Sequence, residues 1–492
     1  MLVKKKSKVM ILIAIIFITS FLQFNTTEVS SKEIEGETIY KNLTLTKMEG
    51  NTIIVSSNKI LDSIRSIKWR NENIIRFNHV NETTKSISNM IYDFDIAKDS
   101  LKKMYDINGS IWGYNIVNDE KGIIYSKHGF NGLYYKEFNG KEVQITTKQN
   151  WYKISPNGNQ IIISGVAKES TNENMKRYIY DIPKNKLTEV KDIPSMNYVF
   201  SDIAAKWSPN SVHIASQKKS NKNQINIINS SDKIIEKEIK INNDLISDSK
   251  WSPGGNKLAF LIQSEEYEDY IIDDVERNYY MSDKVGIYDV NSKEIKVIDL
   301  KGRFTTKQFM WSKNSQGIII QSVKKDDVNQ LVELDNKSNK DIEGKLQYID
   351  INNEAIKEIL KDKIFIKNGY PVHKIRPIEL FENNLLIYAD EDKGLKTIDI
   401  MDLGDRKTVS NDIGFLYKYY KNDDNIYMIS DRGIYIVDEK LTLKNIMNFN
   451  SYYKDDALNV EAQLSPDFKK VALNIEFKEH TSKNSYIEIK DL

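Results

Sequence analysis

Five histidines, His79, His128, His213, His373 and His480, have the widest scope for acid–base or metal chemistry in this chain, and none shares a spacing such as H-E-x-x-H with another. They are scattered, so a metal set would have to be assembled from distant positions, and the sequence offers no cluster to seed one. The chain has no cysteine, which removes thiolate ligands, disulfides, a Cys nucleophile and a lipid-modified N-terminal Cys together. ISGVAK, from Ile163 to Lys168, is the nearest approach to a serine elbow and lacks the G-x-S-x-G pattern. In ADEDKG, from Ala389, Asp390 and Asp392 alternate as in a calcium loop, but Gly394 comes one position early and the twelfth-position Glu is missing. A hairpin turn is expected there. No catalytic residue, metal site or cofactor is therefore expected. The strongest candidates for partner contact are tyrosines in the acidic stretch SEEYEDYIIDDVERNYYMSDK from Ser264, namely Tyr267, Tyr270, Tyr279 and Tyr280. Tyrosine is favoured at interfaces, and long loops on a rigid scaffold carry recognition.

The scaffold is written in a repeat. WYKISPNGNQIIISG from Trp151, KWSPNSVHIASQ from Lys206, KWSPGGNKLAFLIQ from Lys250, MWSKNSQGIIIQS from Met310 and QLSPDFKKVALNIE from Gln463 share one grammar. An apolar strand ends in Trp or a substitute, Ser-Pro-(Asn/Gly/Asp) turns the chain, and a second apolar strand follows. Proline suits the second turn position because its ring holds φ near −65°, and Lys313 is the one departure. A second hairpin recurs in RYIYDIPKNKLTEV from Arg177, KVGIYDVNSKEIKVI from Lys284, LQYIDINNEAIKEIL from Leu346 and LKTIDIMDLGDRKTV from Leu395, where alternating apolar residues run into Asp before the bend.

Together the two hairpins make a four-stranded unit. The turn serines at 155, 208, 252 and 312 are spaced by 53, 44 and 60 residues, and later units near Glu382, Lys421 and Ser465 recur about every 40–45, a four-strand period that signals a β-propeller blade. A thin sheet cannot cover both its faces, so Trp207, Trp251 and Trp311 are expected to pack one blade against the next. The expected fold is all-β, a propeller of four-stranded blades, about eight of them with seven to nine acceptable, preceded by an N-terminal hydrophobic helix. Residues 1–31 are expected to be a signal peptide or signal anchor and 32–492 a single propeller domain, with 38–48 expected to complete the last blade.

The motif W-S-P-x-(S/G)-x-x-(I/L)-A at 207 and 251, with S-P-N-G at 155 to 158 and S-P-D at 465 to 467, resembles the repeats of TolB-like propellers. That group includes the propeller domains of prolyl oligopeptidases and dipeptidyl peptidases. The resemblance is clear in about half of the units and implies fold, not activity: proteins like this bind other proteins, gate a hydrolase or process sugars. A peptidase of this kind would carry an α/β-hydrolase domain, for which the repeats leave no room.

Lys and Arg number 71 against 70 Asp and Glu, so no net field recruits nucleic acid. Four lysines between Lys4 and Lys8 precede an apolar run from Val9 to Phe24, the form of an export signal. The body is expected outside the cytoplasm, secreted or held in the membrane by residues 9–24, with no other membrane contact. Export without disulfides fits a bacterium. The expected function is a non-catalytic module binding a protein or cell-envelope component. The alternatives are a carbohydrate-active lyase or hydrolase with a channel-mouth site, and a sensory ectodomain.

Overall fold

The computed structural model describes residues 31–492 except for stretches between strands, the longest being 166–176, 191–204, 328–341 and 478–485; residues 1–30, with the expected N-terminal helix, lie outside the described residues. Eight sheets follow one another along the chain: blade 1 (residues 63–108), blade 2 (111–144), blade 3 (150–189), blade 4 (205–240), blade 5 (244–299, with a separate hairpin inserted between its second and third strands), blade 6 (303–373), blade 7 (375–410) and blade 8 (416–448). Seven have four strands, and blade 6 gains a fifth, Tyr370–His373. The four-stranded blade read from the repeat is thus the unit of the fold, and eight such blades are consecutive. Among the described residues no helix is long and apolar enough to cross a membrane.

A further sheet joins the two ends of the chain. Ala457–Leu464, Lys470–Phe477 and Tyr486–Asp491 are extended by Thr52–Ser57, then Leu43–Met48, Glu37–Tyr40 and Ser31–Ile34. The strand paired directly with Tyr486–Asp491 is Thr52–Ser57, so the segment 38–48 enters this sheet further out. Both segments carry an alternating apolar pair, Leu43 and Leu45 in one and Ile53 and Val55 in the other, all buried. The chain runs on from 57 into blade 1, which leaves the inner place to the nearer strand.

Two compact units are present, residues 1–149 with 446–492, and residues 150–445. In the first, Leu43, Leu45, Ile53 and Val55 pack with Ile64, Ile75, Phe77 and Phe94 of blade 1. In the second, each seam has its own cluster: Trp207 lies against Ile162 and Ile179 of blade 3, Trp251 against Ile225, Ile227 and Ile239 of blade 4, and Trp311 against Leu261, Val285 and Ile287 of blade 5. The tryptophans do pack blade on blade.

The seams are also pinned by polar bonds in both directions. Trp207, Trp251 and Trp311 donate Nε1–H back to the carbonyl oxygens of Lys153 (3.3 Å), Lys206 (3.0 Å) and Lys250 (3.0 Å) on the preceding blade. Those lysines reach forward, Lys153 Nζ to Ala205 O (3.2 Å), Lys206 Nζ to Asp248 Oδ1 (2.7 Å) and Lys250 Nζ to Phe309 O (2.6 Å). In the first unit Trp69 Nε1 likewise donates to Gln463 O (2.9 Å). One K-W pair thereby sets the stagger of two blades, because its two donors point to opposite neighbours.

The serine of each Ser-Pro turn is buried and acts as the hub of the bend. Its Oγ accepts the N–H five residues on, at 2.9 Å for Gln160 and Ser155, 2.8 Å for His213 and Ser208, 3.1 Å for Lys257 and Ser252, 2.9 Å for Gly317 and Ser312, and 2.9 Å for Lys470 and Ser465. The residue three places after the serine has positive φ every time: Gly158, Ser211, Gly255, Ser315 and Phe468. This conformation suits glycine but is tolerated by other residues when the surrounding hydrogen bonds hold it. Lys313 replaces proline without altering the bend, so the serine, rather than the proline, is the indispensable letter of the motif.

Candidate functional site

The face of blade 2 toward Tyr105 of blade 1 gathers polar aromatic chemistry at one point. Strand period two puts Tyr125 and Lys127, Tyr134 and Lys136, and Glu142 and Gln144 on one face, and the register sets Tyr125 opposite Tyr134, Tyr134 opposite Gln144, and Lys136 opposite Glu142. Tyr125 and Tyr134 stack with centroids 5.6 Å apart and planes at 17°. Lys127 Nζ sits 4.1 Å above the Tyr134 ring, and Lys136 Nζ lies 4.9 Å from the Tyr105 centroid, both in cation–π range.

Glu142 is the hub. Its Oε2 accepts from Tyr105 OH (2.9 Å) and from Tyr125 OH, and its Oε1 from Lys127 Nζ (3.2 Å). Burial pushes the Glu142 carboxyl up, but the hydrogen bonds from Tyr125, Tyr105 and Lys127 and the charge of Lys127 outweigh it, leaving it below its ordinary value. Desolvation, reinforced by the bond to this carboxylate, pushes the Tyr105 phenol up to about 12 and Tyr125 higher still. Desolvation lowers Lys136, against the opposing pull of Glu142 and Glu137. The phenols are therefore neutral donors locked onto an anion. Glu142 and Lys127 keep about a third and a quarter of their side-chain surface in water, and Tyr105 and Tyr134 are half-buried.

Because the folded carboxyl titrates below its ordinary value of 4.5, ionised Glu142 stabilises the patch at neutral pH, and this contribution disappears as pH falls through the folded value. The stability difference between the wild-type protein and Glu142→Gln should be level above about pH 5 and should shrink toward zero on acidification, as read by urea unfolding across pH. A difference independent of pH would remove the charge from the account.

A second cluster lies in blade 6. The outer strand Ile356–Lys367 and the added strand Tyr370–His373 flank the sequence Asn368-Gly369, a favoured tight-hairpin pair, and place His373 beside Asp362. His373 Nδ1 bonds Asp362 Oδ2; the fully buried carboxylate also accepts from Gln321 Nε2 (3.2 Å), Lys363 N (2.8 Å) and Ile375 N (3.0 Å). A separate chain on the same blade runs from Arg303 Nε to Ser322 Oγ and on to Gln347. An aspartate-oriented histidine is one part of a general-base arrangement, and here the cluster ties the extra strand to blades 6 and 7.

Of the tyrosines singled out by sequence, Tyr267, Tyr279 and Tyr280 lie outside the described residues. Tyr270 is in a separate two-stranded hairpin, Tyr270–Ile272 with Val275–Arg277, its backbone opposite Arg277. Asp390 pairs with Gly394 between adjacent antiparallel strands of blade 7. Among the described residues no three His, Asp or Glu side chains assemble as a metal set. Sequence reading missed the Glu142 patch. Its signal was the Tyr-x-Lys alternation at 125–127 and again at 134–136, which identifies a same-face row only once the register is known.

Two similar solved structures each cover most of this chain. A eukaryotic initiation factor structure aligns with TM-score 0.50 and 14% identity over 84% of this chain and 94% of that one. The fold is a β-propeller. The dipeptidyl peptidase 4 of Porphyromonas gingivalis aligns with TM-score 0.45 and 13% identity over 76% of this chain, which spans 58% of that protein's length. No protein-family model matches the chain, and no curated protein matches it in sequence.

Proposed function

We propose that this protein is a TolB-like, extracytoplasmic β-propeller that binds a protein or cell-envelope partner without catalysing a reaction. The observation that carries the reading is the Glu142 patch: Tyr105 and Tyr125 donate to one carboxylate, while Lys127 and Gln144 hold Tyr134, before any partner arrives. Side chains ordered in advance lose little entropy on association, and tyrosine combines apolar area with a polar tip. The Ser-Pro and K-W grammar supports the TolB-like part, and the lysine-led apolar start at residues 4–24 supports export.

The test is retention of envelope components by immobilised protein. Tyr105→Ala with Tyr134→Ala is expected to lower recovery of a specific partner by at least about tenfold, since central aromatic anchors account for ~2 kcal/mol or more each at interfaces. Deletion of residues 265–283 separates this patch from the tyrosine-rich insertion. Recovery unchanged by the double substitution would exclude the patch as the contact surface, and N-terminal sequencing of the mature protein reports whether residues 1–31 are removed.

A further inference from the structure

A cleft of about 490 Å³ opens in the first unit between the sheet that joins the chain ends and blade 1, lined by Lys47, Met48, Thr52, Ile53, Ile96, Asp99, Lys470, Ile489 and Asp491. Met48 and Thr52, paired across adjacent strands, supply one wall. It exists only because this sheet continues beyond its fourth strand, which the four-stranded blades do not. The volume lies in the ~300–1,000 Å³ range of small-ligand sites. Ile53 and Ile489 are buried beneath it, while Met48 leaves 55% of its surface exposed at the edge.

The rim carries two cations and two anions. Lys47 and Asp99 form an ion pair with 54% and 38% of their side chains exposed, and Lys470 faces Asp491 in register. Such a rim has no net charge, so it gives a simple anion or a simple cation no advantage. It suits a ligand with one charge of each sign, whose ammonium meets an aspartate while its carboxylate meets a lysine, so that each protein ion keeps a counter-ion. The Lys47–Asp99 pair, this exposed, is worth little to the fold and is easily opened. The isoleucines and Met48 add room for an aliphatic group.

We propose that this cleft binds short peptides with free termini and an aliphatic side chain. This is independent of the Glu142 patch, with which it shares no residue. The test is isothermal titration of the full chain with the dipeptide Leu-Leu and with its N-acetyl amide. Leu-Leu should saturate with a Kd on the order of 0.1–1 mM, and the blocked form should bind at least about tenfold more weakly. Lys470→Ala and Asp491→Ala should each weaken Leu-Leu about tenfold without lowering the unfolding midpoint, and Glu142→Gln should leave it unchanged. Equal binding of the two peptides, absence of saturation by Leu-Leu, or indifference to both rim substitutions would overturn the proposal.

Discussion

Asp93→Ala should be the most damaging single substitution in the first unit, lowering the free energy of unfolding by about 3–5 kcal/mol. Asp93 and Arg76 are both buried, Arg76 with no accessible surface. Arg76 Nε and Nη2 donate to the two oxygens of Asp93 at 2.6 and 2.8 Å, and Arg70 Nη1 donates to Oδ2 at 2.8 Å. Phe138 lies 4.4 Å from the guanidinium carbon and covers it. Arg76 Nη1 has no hydrogen-bond partner among the described residues, so loss of Asp93 would strand the whole cation in an apolar seam. Urea unfolding of the purified protein measures the effect. The combined Arg76→Met and Asp93→Leu replacement should recover much of the loss, because removing both charges relieves the burial cost that removing one exposes. A loss below about 1 kcal/mol for Asp93→Ala would mean that water reaches Arg76 and that the pair is not a buried ion pair.

Trp251→Ala should cost a similar amount, about 3–5 kcal/mol, in the second unit. Trp251 is 8% exposed, packs against Ile225, Ile227 and Ile239 of blade 4, and stacks on His213 at 6.0 Å and 26°. Trp251→Phe keeps most of the ring and removes the Nε1–H bond to Lys206, so it should cost about 1 kcal/mol for that bond in addition to the lost volume. Trp207, only half-buried and with the longer 3.3 Å bond, should be the more tolerant position. Thermal or denaturant midpoints of Trp251→Ala, Trp251→Phe and Trp207→Ala check this order, and equal losses at both positions would sink the seam account.

Much of the blade was legible before any coordinates. Ser155, Ser208, Ser252, Ser312 and Ser465 sit at real bends, and the Asp-led second hairpins at Asp181, Asp289 and Asp350 bend where expected, their side chains accepting backbone N–H bonds two or three residues on. Both are local signals, since turn chemistry is decided by a few neighbouring residues. The candidate site was less legible. Tyr105 and Glu142 are 37 residues apart and on different blades, and nothing in either neighbourhood marks the other. His373 and Asp362 were equally hidden, although the Asn-Gly pair between their strands advertised the hairpin that joins them.

The amino-acid sequence by itself determined the turn chemistry, the strand alternation, the tryptophan seams and the four-stranded unit, because each depends on contacts within one hairpin or on apolar surface that must be covered. Only the tertiary structure decided which of two N-terminal strands lies against Tyr486–Asp491, that the K-W lysines bond forward while the tryptophans bond back, and that Glu142 gathers Tyr105, Tyr125 and Lys127. Those outcomes depend on register and on packing between distant segments. A shift of one residue would turn every one of these side chains to the opposite face.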